Sequence, residues 1–191
     1  ISVFYEIDNF CKKFIPYIEQ QCINADGKPV SLELPSRLTL SEAMTICAVF
    51  HLSGYRTFKW FYHKLVLTYY KKFFPNLVSY NRFVELMPYT VYPMVFFAYS
   101  RCGQCTGISF VDSTTIDVCD SHRIQQHMVF KDIAQRGKSS TGWFYGFKLH
   151  ISINDRGEIL GFCLTSGNKD DRNPEVMEHL TKNIFGKLFA D

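Results

Sequence analysis

The chain lacks any apolar run of the ~18 residues or more that a bilayer span needs. Its longest lipid-like stretch, Val91 to Tyr99, is half that length and contains Pro93, so no membrane partner is expected. No export leader is expected either, because Glu6 and Asp8 stand where its apolar centre would lie. There is no regular cysteine framework either. Seven cysteines at irregular spacings, with no export signal, point to a reducing compartment and free thiols. The first residue is Ile rather than Met, and a natural start upstream is expected. Charge of one sign is in short excess: 21 Lys+Arg against 18 Asp+Glu leave a net +3. That small excess is unevenly placed. Residues 1–100 hold 10 basic and 7 acidic side chains, and residues 101–191 hold 11 of each, which puts the hint of polyanion contact in the first half.

The first hundred residues read as an all-helical domain. Val3, Ile7, Phe10, Cys11, Phe14 and Ile18 recur at helical spacing, predicting one amphipathic helix over about 2–22, interrupted at Pro16. After a polar link containing Gly27, Pro29 and Pro35, Thr39 and Glu42 form a capping-box signature ahead of a second helix, which Ser53 and Gly54 stop. A third helix, Arg56 to Phe73, contains no acid. At 100° per residue Phe58, Phe61, Tyr62, Leu65 and Tyr69 share one side. Arg56, Lys59, His63, Lys64 and Lys71 share the other. The helix–turn–helix spacing fits a DNA-contacting pair with these cations outward; the alternative is a solvated basic face on a bundle, which charge runs usually are. Two further short helices are expected, Ser79 to Met87 and Thr90 to Ser100, separated at Pro88.

Periodicity switches from helix to strand after Arg101. Ile108 to Val111 is a β-branched and aromatic run that stops at Asp112, Ser113 and Thr114. A carboxylate at the end of a buried strand needs a metal ion, an arginine or the amides of a turn. Residues 115–141 run long and polar. Within residues 121–141 Arg123, Lys131, Arg136 and Lys138 meet only Asp132, as in a mobile surface loop or one that tracks a phosphate backbone. Trp143 to Ile153, the turn Asn154–Gly157 and Glu158 to Thr165 read as a hairpin. Asn173 and Pro174 open a helix, and Gly186 to Asp191 reads as a last strand ending in an aspartate. Cys102, Cys105, Cys119 and His122 have near zinc-ribbon spacing, but the strand between them argues for free thiols instead. With the first and last strands parallel and side by side, Asp112 and Asp191 arrive at one sheet edge. Two carboxylates there repel unless a divalent cation joins them.

The runs FVDST, GWFYGFKLHISINDRGEILGFCLTSGNKDDRNP and GKLFAD, with HLSGYRTFKWFY and FPNLVSYNRF upstream, resemble a DDE transposase of bacterial insertion sequences, nearest the nine-eighty-two insertion-sequence family. The resemblance implies an α/β fold: a helical DNA-binding region over 1–100, then over 101–191 the first part of a ribonuclease-H-like mixed sheet with helix. It implies Mg²⁺ (or Mn²⁺) held by the catalytic carboxylates Asp112 and Asp191. Implied partners are terminal inverted repeats and target DNA, with a homodimer as the intact enzyme, in the bacterial cytoplasm. In that family a third acid lies downstream of the second, so a chain stopping at Asp191 is expected to be a fragment inactive by itself. Lys148 and His150, on the strand beside Asp112, and Arg123, Arg136 and Lys138, in the long loop, are the candidate phosphate contacts, with ordinary surface charge as the alternative. The alternative is a non-catalytic DNA-binding remnant using the basic helix 56–73.

Overall fold

The computed structural model describes residues 1–23, 27, 31–140 and 142–190. Two compact units divide the chain, Ile1–Ser100 and Arg101–Asp191. An α-helical region precedes an open, mixed β-sheet with helix. Among the described residues no helix is long and apolar enough to cross a membrane.

In the first unit, α1 (Ser2–Gln21) runs unbroken through Pro16. The box at the start of α2 (Leu40–Leu52) forms as its residues require: the Glu42 amide donates to Thr39 Oγ1 at 3.2 Å, and the Thr39 amide to Glu42 Oε2 at 2.8 Å. Gly54, at φ +72°, supplies the left-handed residue that ends it. Next, α3 begins as an ordinary α-turn, Phe58–Phe61, and widens into a π-helix over Tyr62–Tyr70. That widening changes which residues face inward. A bond pattern of i to i+5 brings Phe61 over Val66, and these two with Tyr62 are buried, whereas Tyr69, expected on the inner side, is exposed.

The two short helices expected around Pro88 are a single one, α4 (Tyr80–Ser100), with Pro88 and Pro93 inside it. A proline removes one backbone donor and crowds the preceding turn. Locally, the Thr90 hydroxyl donates to the Met87 carbonyl at 2.8 Å, and burial of Phe83, Leu86 and Pro93 keeps the flanking turns in place. The core joins Ile7 and Cys11 of α1, Met44 and Ile46 of α2, Phe61, Tyr62 and Val66 of α3, and Phe83 and Leu86 of α4. The Tyr62 hydroxyl, inside that core, donates to the Val78 carbonyl at 2.8 Å.

In the second unit β1 (Ile108–Asp117) is longer than its apolar run, continuing through Asp112. The presumed long loop holds a 3₁₀ turn, Ser121–Gln126, and a strand, β2 (Gln135–Ser139). The hairpin is β3 (Gly142–Asn154) and β4 (Ile159–Ser166). Asn154 Oδ1 closes its turn by accepting from the Arg156 and Glu158 amides at 3.0 and 2.9 Å. Then α5 (Pro174–Thr181) starts on Asn173, whose side chain accepts from the Glu175 and Val176 amides, and β5 (Lys187–Ala190) follows.

The sheet order is β2-β3-β1-β5, with β4 also on β3. β3 is its centre: β1 lies antiparallel along one edge, while β2 and β4 take successive lengths of the other. Where β1, β2 and β3 meet stands Gly146, at which a Cβ would collide with the Ile116 carbonyl. β5 lies parallel to β1 and pairs Ile108 with Lys187 through Val111 with Ala190.

The two faces of the sheet follow from this register. One carries Ser109, Val111, Ser113, Lys148, His150, Ser152 and Asn154, of which all but Val111 and Ser113 are buried. It lies towards α5, where the Ser152 hydroxyl donates to the Leu180 carbonyl at 3.2 Å. The other carries Phe110, Asp112, Leu149, Ile151 and Leu164.

Candidate functional site

Asp112 sits one residue past the end of the parallel pairing, since Val111 is opposite Ala190, the last residue of β5. It is exposed, and its Oδ1 accepts the Ser113 amide at 2.7 Å. A hollow of about 370 Å³ opens here, lined by Val111, Asp112, Ser113, His150, Asp171, Arg172, Met177 and Ala190. It lies where the strand end, the loop after β4 and the start of α5 converge. Asp191 falls outside the described residues.

Under the hollow lies a polar cluster built from three elements. Lys148 and His150 project from alternate positions of β3 and are only 8% and 1% exposed. Asp171 comes from the loop before α5. Its Oδ1 is 3.1 Å from Lys148 Nζ and 3.6 Å from His150 Nδ1. His150 Nε2 is 2.9 Å from the Thr165 hydroxyl of β4. Burial alone would raise the Asp171 carboxyl, but its hydrogen bonds with Ser113 and Lys148 outweigh that and hold it below the usual carboxylate range. For His150, burial is the main influence and pulls the imidazole below its usual value. The Asp171 charge opposes this, and Lys148 reinforces it.

The remaining cations lie apart from this cluster and are exposed. Arg123 is on the 3₁₀ turn, and Arg136 and Lys138 are on β2. Arg136 and Lys138 therefore stand on a strand paired to the first residues of β3, not on a free loop. Sequence reasoning passed over Asp171 and Arg172, although the run Asn168-Lys-Asp-Asp-Arg172 is conspicuously charged. A polar loop gives no sign that it folds back beneath a strand end.

In the first unit, no Asp or Glu occurs between Glu42 and Glu85. Arg56, Lys59, Lys64 and Lys71 are all exposed. With them is Trp60, 59% exposed, with Lys64 Nζ 5.1 Å from the centre of its ring. Such a surface pairs cations with a flat aromatic face.

Among the described residues no three His, Cys, Asp or Glu side chains are grouped to hold a metal ion, so the four-ligand zinc arrangement of Cys102, Cys105, Cys119 and His122 is not formed. Cys105 is instead joined to the chain before β5: its thiol donates to the Phe185 carbonyl at 3.3 Å and accepts the Phe185 amide at 3.4 Å. The chemistry offered by Asp112 differs. It is a hard carboxylate oxygen at an open hollow, the donor type that Mg²⁺ takes while keeping several of its waters.

These features define an α/β domain with an open mixed sheet and an acidic residue at the limit of the parallel pair β1–β5. Residues 102–191 match the family model described as Transposase DDE domain, and this half of the chain is a DDE-transposase-family domain. No curated protein and no solved structure matches the chain.

Proposed function

We propose that the chain carries the first part of the catalytic core of an insertion-sequence DNA transposase, ribonuclease-H-like in its sheet, behind a helical DNA-binding region. One observation carries this above the rest: the parallel pairing of β1 with β5 stops beside Asp112, and Asp191 follows Ala190 directly in the chain. Asp112 and Asp191 are the residues proposed to hold Mg²⁺ (or Mn²⁺). When bound, divalent ions supply charge stabilisation to the attacking and leaving oxygens of an in-line phosphoryl displacement. The chain's own part is to fix the carboxylates, keep the hollow open on one side for a DNA strand, and bring cations to its phosphates. Arg172, at the hollow, and Arg123, Arg136 and Lys138 are proposed for those phosphate contacts. Lys148 and His150, the other two candidates, are buried and held against Asp171. Arg56, Lys59, Lys64 and Lys71 are proposed to hold terminal-repeat DNA, and target DNA is the second substrate. A homodimer is the proposed working form.

The resemblance puts a third acid downstream of Asp191. Strand cleavage and joining are therefore assigned to a polypeptide that includes it, with little or no strand transfer by residues 1–191 alone. The test is a Mg²⁺- or Mn²⁺-dependent nicking assay on terminal-repeat DNA with that longer polypeptide. Activity should vanish in Asp112→Ala, and robust activity surviving that change would refute the assignment. A second reading, DNA binding without catalysis, is favoured by the long acid-free stretch around α3. It predicts salt-sensitive DNA binding with no metal-dependent nicking by any form of the protein.

A further inference from the structure

We propose that α3 carries a ridge that stacks the unpaired bases of single-stranded DNA, with Trp60 and Tyr69 as the platforms and Lys64 as the cation between them. This rests on the reading that α3 contacts DNA, and it names the form of DNA taken there.

The ridge is a product of the π-helical winding. At roughly 3.6 residues per turn Tyr69 would stand about 180° round the axis from Trp60. Bonding from i to i+5 puts more residues into each turn. Steps of four and then five residues therefore return to one side, which carries Trp60, Lys64 and Tyr69. All three are exposed, Trp60 by 59% and Tyr69 by 63%, while Phe61, Tyr62 and Val66 are buried behind them. The Thr68 hydroxyl braces the widened turn by donating to the His63 carbonyl, five residues earlier, at 3.1 Å. A π-helix over Tyr62–Tyr70 is long for a conformation that is rare and that recurs at functional sites. What it achieves here is a line of ring, cation and ring open to solvent.

The chemistry of that line selects its ligand. Lys64 Nζ lies 5.1 Å from the centre of the Trp60 ring, and a hollow of about 390 Å³ is lined by Lys59, Trp60, His63 and Lys64. Past the helix end, Lys72 Nζ lies 5.0 Å from the centre of the Phe73 ring, so the pairing of cation and ring is repeated. Cations call for a polyanion, and exposed ring faces call for something flat. In duplex DNA the bases are stacked on one another and present only their edges and phosphates, which leaves the rings nothing to stack on. A helix that lies on a membrane sends its apolar and cationic side chains to opposite faces, whereas here they alternate along one. An unpaired DNA strand uses both groups: its phosphates meet the lysines and its bases lie on the rings.

The experiment uses residues 1–191 carrying Trp143→Phe, which leaves Trp60 as the one tryptophan. Anisotropy measures binding to a labelled oligothymidine of about twenty nucleotides, a length that exceeds common single-strand site sizes. The comparison probes are a mixed-sequence duplex and an oligouridine of the same length, and vesicles of phosphatidylserine with phosphatidylcholine. The oligothymidine should bind about tenfold or more tighter than the duplex and should quench the Trp60 emission. Trp60→Ala should weaken oligothymidine binding about tenfold, the effect of losing one stacked base, and leave duplex binding unchanged. Trp60→Tyr should recover most of the loss, and Tyr69→Ala should weaken binding as Trp60→Ala does. If Trp60→Ala does not fold, Trp60→Leu provides the same comparison. Equal or tighter binding of the duplex overturns the ridge and leaves DNA contact by α3 standing, as does oligothymidine binding that Trp60→Ala does not weaken. Tighter binding of the oligouridine overturns the assignment to DNA. Binding to neither DNA overturns the ridge together with the DNA reading of α3, and binding to the vesicles alone would make the surface a membrane contact instead.

Discussion

Single side chains here are governed by how far burial outweighs their partners. Burial pushes the Cys11 and Cys47 thiols up to about 11, whereas the backbone amide of Phe185 leads the influences that lower Cys105. Because the thiolate is the reactive form, iodoacetamide at pH 8 should label Cys105 well before Cys11 or Cys47, which should react only on unfolding; mass spectrometry of timed digests reads the order. His150 gives a pH dependence whose sign follows from its lowered value in the folded state. The unfolded chain binds the proton more readily, so the contribution to stability is whole above the ordinary histidine value of about 6.5 and declines as pH falls below it. Melting temperature should therefore drop on acidification from about pH 6.5, and His150→Gln should flatten that part of the profile. Residues that bond locally were legible in the sequence, as Thr39 with Glu42 and Asn173 with Pro174 demonstrate. Asp171 was not, because its partners Lys148 and His150 on β3 are remote in the chain and only tertiary structure gathers them.

Elements were legible where local pattern and tertiary packing agree. The β3–β4 hairpin is an instance: alternation, turn chemistry and pairing all favour it. β2 is the opposite case. Its sequence, Gln-Arg-Gly-Lys-Ser, has no strand preference, and it is extended because β3 offers it a free edge. β1 outlasts its apolar run for a related reason: pairing with β3 continues to Asp117, so Asp112–Thr115 look like a turn while continuing the strand. In α3 the π-helical winding breaks the 3.6-residue period used to sort its faces, yet Arg56, Lys59, Lys64 and Lys71 remain outside. Each cation contacting a phosphate adds about one unit to the slope of log affinity against log salt. Lys59→Gln with Lys64→Gln should weaken DNA binding and lower that slope by about two, measured by fluorescence anisotropy across a salt series, with Asp112→Asn unchanged.

At the scale of the whole molecule, the chain is two units with cores of different character. The first is closed around Phe61, Tyr62, Phe83 and Met44. The second is a sheet whose Phe110 and Phe189 rings stack at 5.5 Å while both remain exposed. Chains of more than one domain commonly depart from two-state unfolding. Calorimetry of residues 1–191 should give a van't Hoff enthalpy clearly below the calorimetric one. Equality of the two would mean that the units unfold together.

The central strand contains a frame-shift hazard. Moving β3 by one residue against its neighbours would exchange Lys148, His150 and Ser152 for Phe147, Leu149 and Ile151 beneath α5. Judged on greasiness alone, that wrong arrangement is the better one. What forbids it is a pair of polar latches, the Asn154 bracket at one end of the hairpin and the Ser152 hydroxyl on the Leu180 carbonyl. Correct threading of this sheet is thus enforced by hydrogen bonds against the pull of the oily residues.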